Sequence, residues 1–346
     1  MPAVHPGPAN TFVKSHDATN KMVIDYARNI NKFAVNRYMQ IIPVKKLAGY
    51  YLAITVEEAG RILYSDLRNF VWYDGMDAPM GKGDTETFTY LDFLCKRYAY
   101  PVLLGELTIE QASWDILAQQ MSIKARQAMT ARTQLAITAM TTSGNYSASH
   151  VLDVTAISGN TGNWAQSTTA RQDIKRSLQT GMEVILDDTL NAVEQEDIQL
   201  VINSALAKAL TESQEITDYI KGSPEALAQI RGELPGKNTY YGLPDKLYGV
   251  NLVVEATRKV TTKKGATTAK SQVLPTATPF MCSRPGALVG TADAPNFSTG
   301  VIFALEEMTI ETKRDSDNRR SIGRVVENIV PKVVAPASGI LFSNAA

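Results

Sequence analysis

Cysteine is nearly missing from this chain. Cys95 and Cys282 are the two present, far apart and with no partner nearby. That excludes a disulfide scaffold and fits a reducing compartment. Histidine is almost as scarce, at His5, His16 and His150. None has another His, Cys or carboxylate at a metal-ligand spacing, so no metal centre is expected. Neither a Gly-x-Ser-x-Gly nor a Gly-x-x-x-x-Gly-Lys-Ser/Thr motif occurs. Gly159-Asn160-Thr161-Gly162 follows no apolar strand, so it is not a dinucleotide loop. Glu306 and Glu307 are adjacent, and adjacent strand residues face opposite ways, which makes them a poor acid–base pair. They and Asp187-Asp188 read as solvated charge. No catalytic residue and no cofactor are expected, and the chain does not read as an enzyme. No run of 18 apolar residues occurs, so no membrane partner is expected. The opening Met-Pro-Ala-Val-His-Pro-Gly-Pro lacks the basic and apolar regions of a secretory signal. Internal repeats and heptad runs are also missing.

Net charge is absent too. Thirty-five basic residues meet 35 acidic ones, which argues against a nucleic-acid binder that is basic throughout. The charge is unevenly spread. Residues 1–50 hold seven basic residues against Asp17 and Asp25. This positive arm, with Lys14, Lys21, Arg28 and Lys32, reads as a solvated helix face or as a binding surface. At 44% hydrophobic and 20% charged, the 346 residues suit two domains, or one with large excursions.

The longest regular stretch runs from Thr108 to Met140. Trp114, Leu117, Met121, Ala125, Ala128, Arg132, Leu135 and Ala139 step by three or four, and all but Arg132 are apolar or small. That is one face of a helix. Thr108 with Gln111 offers a capping box at the start, and Gly144 a cap at the end. Unbroken, such a helix would be roughly 50 Å long. It reads as a long core helix or as the spine of an elongated subunit.

Other segments follow in order. Asn20–Met39 carries a helical pattern ended by Pro43, and Tyr50–Ile54 is a short strand. Thr55-Val56-Glu57-Glu58 starts a short helix to about Ser65. Arg68, Phe70, Trp72 and Tyr73 lead into a Gly-rich tip containing Lys82, and Thr87–Tyr100 returns as β-rich sequence. This predicts a long hairpin whose aromatics need covering, by its own domain or by a neighbour. Thr141–Thr169 is a polar loop. Ala170–Leu186 is helical, Ile198–Ile202 and Val250–Val254 are apolar strands, and Ser204 is placed to cap a helix to Leu210. Pro224 starts another helix. That order suggests a small α/β sheet. Residues 261–272, rich in Thr and Lys, read as a mobile loop, and Thr278–Gly290 as β. Thr309–Arg314 and Ser321–Val326 flank Asp315-Ser316-Asp317-Asn318, a hairpin signal.

The order of these parts resembles the major capsid protein of tailed bacteriophages, of the Hong Kong 97 type. The likeness covers nearly the whole chain and rests on layout. The arm is followed by Gly49-Tyr50-Tyr51-Leu52, the turn-tipped excursion, the long helix and an α/β region. The end is Ala337-Ser338-Gly339-Ile340-Leu341-Phe342, and Ser204–Leu210 with Ile216–Gly222 is similar to that family's axial-domain helix and turn. The resemblance implies an α+β fold with a long spine helix, an extended β-hairpin loop, and peripheral and axial domains. Residues 1–48 would be the N-terminal arm and 49–65 the start of the peripheral domain. The extended loop would be 66–100, the peripheral domain with its spine 101–169, the axial domain 170–300, and the peripheral return 301–346.

The function implied is self-assembly of pentamers and hexamers into an icosahedral shell around double-stranded DNA, in a virion built in the bacterial cytoplasm. The partners implied are other copies of the chain, the packaged DNA and a separate scaffolding protein, with portal and decoration proteins open. Arg68, Phe70, Trp72, Tyr73 and Lys82 would touch neighbouring subunits. Lys313, Arg314, Asp315, Asp317, Arg319 and Arg320 would meet other capsomers. Lys14, Lys21, Arg28 and Lys32 would line the inner surface. Some members join subunits by a Lys–Asn isopeptide bond, but Lys82 has no matching Asn and Glu, so that chemistry is not carried over. Some carry a long cleaved scaffolding region, for which this chain is too short before its first helix, so that either it has been removed or scaffolding comes from a separate protein. Two other readings stand beside this one: a cellular nanocompartment shell holding an enzyme cargo, and a soluble α+β hydrolase with a diffuse active site.

Overall fold

A long antiparallel hairpin sets the frame. Strands Gly300–Asp315 and Arg320–Val333 pair from Gly300↔Val333 to Asp315↔Arg320, with irregularities at Ala304/Glu306 and Glu306/Thr309. The structure is a computed structural model that describes residues 33–54, 88–112, 115–221, 242–263, 265–284 and 298–346. The expected turn at 315–318 lies where the sequence put it. Both strands are longer than expected, because β-branched and apolar residues continue beyond the alternating segments. Gln40–Pro43 joins one edge in parallel and Lys96–Gly105 the other antiparallel, giving a four-stranded sheet. Lys96–Tyr100, expected in the extended loop, therefore belongs to this sheet.

The spine helix crosses that sheet. It covers Ile116–Thr141, 26 residues and about 39 Å. It does not begin at Thr108. Glu106–Glu110 is a separate short helix with Thr108 buried inside it. Asp115 accepts a bond from the Ala118 amide at 2.9 Å and starts the long helix afresh. A carboxylate N-cap of this kind satisfies an amide that would otherwise stay unpaired. Trp114 lies outside the described residues. Nor does Gly144 cap the far end. Thr142 donates to the Thr138 carbonyl at 2.6 Å, Asn145 to Ala139 at 2.7 Å and Tyr146 to Met140 at 2.9 Å. Side-chain donors take up the last carbonyls, so no left-handed glycine is needed.

The buried face of the spine widens along its length. Met121, Ala125 and Ala128 pack on Val102 and Val325 of the four-stranded sheet. Gly323 lets that sheet approach, since a Cβ there would sit 2.5 Å from the Met121 sulfur. Farther on, Met129, Ala136, Ile137 and Met140 are buried against both sheets, with Ile302 and Ile329 on one side and Phe280 and Leu341 on the other. Leu135 and Ala139, on the expected stripe, are only half-buried. The single-stripe reading assumed one partner surface, and the second half of the helix has two.

The second sheet has six strands, in the order Val151–Asp153, Gly339–Ser343, Phe280–Ser283, Ile198–Asn203, Val250–Glu255, Lys246–Leu247. Ile198–Asn203 and Val250–Glu255 run parallel, joined through helices Ser204–Glu212 and Gln214–Lys221, as the strand–helix–helix–strand order requires. The cap of the first helix is Asn203, accepting from Leu206 at 2.7 Å, one residue before the expected Ser204. The C-terminal strand lies inside this sheet, so the segment 301–346 returns to the first sheet and ends in the second. Helix Asp173–Asp188 covers it with Ile174, Leu178, Met182 and Ile185, all buried. Its N-terminus is closed from a distance. Gln172 is left-handed at φ 53° and caps nothing, while the buried Glu215 carboxylate accepts from the Ile174 and Lys175 amides at 3.1 Å each.

Residues 270–272, read as the end of a mobile loop, form a strand. Arg258–Val260 pairs antiparallel with Lys270–Gln272, and Gly265 takes the positive φ of 93° that their connection needs. Thr261, Thr262, Thr267 and Thr268 lie outside both strands, in the connection between them. At the N-terminal side, Val35–Tyr38 is helical and gives way to a strand at Gln40, ahead of Pro43. Residues 20–32, the short helix from Thr55 and the helix from Pro224 lie outside the described residues.

Candidate assembly surfaces

The base of the excursion is a ladder of Ala48–Ile54 with Phe88–Leu94, running from Ala48↔Leu94 to Ile54↔Phe88. Alternation divides its faces. Tyr51 and Phe93 turn inward. Phe93 stacks on Phe303 with ring centroids 4.5 Å apart, and Tyr51 lies 5.6 Å from the same ring. Gly49 permits this packing, because a Cβ would stand 2.8 Å from the Phe93 ring. Tyr50 and Tyr90 turn outward and are 75% and 68% exposed. Two such aromatics on one small face form an uncovered apolar surface. Sequence reasoning named Arg68, Phe70, Trp72, Tyr73 and Lys82 beyond this ladder, all outside the described residues. It missed Tyr50 and Tyr90, although the alternation in Tyr50-Tyr51-Leu52 carried the signal.

The tip of the long hairpin gathers all six residues expected there. Arg320 pairs with Asp315 at 2.8 Å, and Asn318 donates to the same carboxylate oxygen at 2.9 Å. The Asn318 bond, then the Arg320 guanidinium, hold Asp315 below the usual carboxylate range. Arg314 reaches the short helix and pairs with Glu106 at 2.7 Å. Arg319 sits at φ 46°, and its carbonyl accepts from the Glu106 amide at 3.0 Å. Three of the six are thus held within the chain. Lys313, Asp317 and Arg319 are exposed and make no ion pair among the described residues. Leu103 and Leu107, each 58% exposed, lie on the neighbouring strand end and short helix. The tip therefore offers an apolar patch that the sequence reading did not include. The arm residues Lys14, Lys21, Arg28 and Lys32 lie outside the described residues.

Two buried carboxylates tie the body together. Arg132, the single charge on the helix stripe, donates to Glu327 of the long hairpin through Nε at 3.0 Å and Nη2 at 2.8 Å. Both side chains are below 10% exposed, and Oε1 of Glu327 has no hydrogen-bond partner. Burial pushes Glu327 above the ordinary carboxylate range, against the opposing pull of Arg132. Glu255 accepts from Tyr38 at 3.3 Å and from the Thr257 amide at 3.0 Å, and burial raises it likewise. His150 is buried between the Gly339 carbonyl at 2.7 Å and the Asp188 carboxylate at 2.6 Å. Cys95 and Cys282 are free and buried. Among the described residues no group of three His, Cys, Asp or Glu could hold a metal, and no helix is long and apolar enough to cross a membrane.

No family model and no curated protein matches the sequence. Solved structures do match. A phage-related protein from Bordetella bronchiseptica is similar at 15% identity and a TM-score of 0.60, over 91% of this chain and 93% of that one. The capsid of cyanophage P-SCSP1u is similar at 12% identity and a TM-score of 0.58, over 97% and 93%. An encapsulin complex from Synechococcus elongatus is similar at 12% identity and a TM-score of 0.51, over 96% and 92%. With a helix laid across a four-stranded sheet, a six-stranded sheet beside it and a hairpin ladder leaving the first, the chain has the α+β Hong Kong 97-type capsid fold.

Proposed function

We propose that this chain is the major capsid protein of a tailed bacteriophage, a structural subunit that assembles into a closed icosahedral shell around double-stranded DNA. The observation that carries this is the likeness, over at least nine-tenths of each chain, to a cyanophage capsid and to a phage-related protein. The layout agrees with it. The outward tyrosine pair and the hairpin tip are two separate surfaces of the chain. Repeated contacts between two different patches generate rings and closed shells. In this reading the four-stranded sheet and spine form the peripheral domain and the six-stranded sheet the axial one. The excursion beyond residues 54 and 88 reaches a neighbouring subunit.

The encapsulin likeness favours a second reading, a nanocompartment shell around a protein cargo. Negative-stain microscopy of the purified protein tests the shared claim: closed particles are expected, and a monomer or small oligomer at high concentration refutes it. The contents separate the two readings. Nuclease-protected duplex DNA in particles from infected cells supports the phage shell, and a co-purifying enzyme without DNA supports the compartment.

A further inference from the structure

Two stretches of this chain contain no acidic residue at all. One is 116–152, between Asp115 and Asp153, and the other is 256–292, between Glu255 and Asp293. Each is 37 residues long, and with 35 acidic residues in 346 each would carry three or four by proportion. They are more than a hundred residues apart in sequence, yet the fold brings them together. Lys259, on the hairpin Arg258–Gln272, donates to Gln134 of the spine helix at 2.6 Å. The hairpin thus stands beside the outer face of the spine.

The charges on this joint surface are of one sign. Arg126, Arg258, Lys263 and Lys270 are exposed, and Lys124 is half-buried with its ammonium on Gln127 at 3.1 Å. The remaining outward side chains of the spine here, Gln127, Thr130, Gln134 and Thr138, are neutral donors and acceptors. Asp115 and Glu255, which border the two stretches in sequence, and Glu327, bound to the spine at Arg132, are already engaged. Glu327 is buried and bound to Arg132, and Glu255 is buried and bound to Tyr38 and Thr257. Asp115 lies at the far helix end and caps Ala118. A surface shaped by solubility alone intersperses both signs. A one-sign surface of cations spaced among amides and hydroxyls suits a long polyanion, whose phosphates they can neutralise without reading bases.

We propose that the outer face of the spine helix and the hairpin 258–272 together form a sequence-independent site for the phosphate backbone of duplex DNA. Its assignment to the inside of a shell rests on the function proposed above; the binding itself does not. The probe is a fluorescent mixed-sequence duplex of about 30 base pairs, with anisotropy read on unassembled full-length protein across a salt series. The test variant carries K124Q, R126Q, R258Q, K263Q and K270Q. A charge-matched control carries K96Q, R97Q, K208Q, K221Q and K246Q, all exposed positions elsewhere. Each phosphate contact contributes about 0.9 to the slope of log affinity against log salt. The test variant should lose about three to four from that slope and at least tenfold in affinity at low salt. The control should stay within about one of wild type. R258Q with K270Q alone should remove up to about two, which keeps the test open if the fivefold variant misfolds. Equal slopes for test and control variants, or a wild type that does not bind at low salt, overturn the site. Microscopy of the same samples separates this from the shell reading. Particles with an unchanged DNA slope refute the site alone, and lack of particles with a reduced slope refutes the shell alone.

Discussion

Replacing Arg132 with methionine is the sharpest test of how the body is held together. The substitution keeps most of the side-chain volume and removes the guanidinium from a site where both partners are below 10% exposed. Glu327 then keeps neither of its two bonds, and its Oε1 already has none. Removing one partner of a buried pair costs about 3–5 kcal/mol, because the charge left behind has no compensation. At about 2 °C per kcal/mol for a chain of this size, the melting midpoint should fall by roughly 6–10 °C at pH 8. The loss should depend on pH. Burial already raises the folded pKa of Glu327 above its unfolded value, and loss of Arg132 raises it further. A carboxyl of that kind contributes stability that is fully present below the unfolded pKa and is lost as pH rises through the folded one. Lowering the pH from 8 to 5.5 should therefore narrow the gap between the variant and wild type. The double change Arg132→Met with Glu327→Leu should lie within about 1–2 kcal/mol of wild type, since paired removal leaves no orphan. Scanning calorimetry at both pH values reads all of this. A single variant that melts within 1 °C of wild type at pH 8, or a double variant worse than either single one, would falsify the reasoning.

Four further outcomes are expected. Glu215→Ala should lower stability by about 2–4 kcal/mol, because it uncaps helix Asp173–Asp188 and strands the buried Ser167 hydroxyl, which donates to Glu215; urea unfolding measures it. Gly323→Ala should cost about 1–3 kcal/mol, as its methyl displaces the Met121 sulfur from the sheet, and a Met121→Ala background should relieve most of that in the same assay. Tyr50→Ser with Tyr90→Ser should change subunit stability by under about 0.5 kcal/mol per site, yet reduce the yield of assembled particles in a sucrose gradient; undiminished yield removes this face from the assembly surfaces. Lys313→Glu with Arg319→Glu spares the ion pairs inside the chain, so melting should hold while particle closure fails; intact particles at low and moderate salt would mean the tip is merely solvated.

Much of the architecture was legible in local patterns. Apolar runs at 198–202 and 250–254, the turn residues at 315–318 and the three-four spacing from Met121 to Arg132 each fix an element through interactions a few residues long. Capping and partnership were less legible. Asp115 overrides Thr108 because the carboxylate meets the Ala118 amide in three dimensions, and Glu215 caps a helix some forty residues before it. The charge on the spine stripe was visible as an exception, but its meaning waited for Glu327, 195 residues away. The sequence alone determines that the chain lacks the nucleophile, phosphate-loop and metal-ligand motifs, and it places many of the helices, strands and turns. Tertiary structure decides which tyrosines stay uncovered, which tip charges are already paired, and that two acid-free stretches share one surface. Those properties depend on distances between segments remote in the chain, and no local periodicity encodes them.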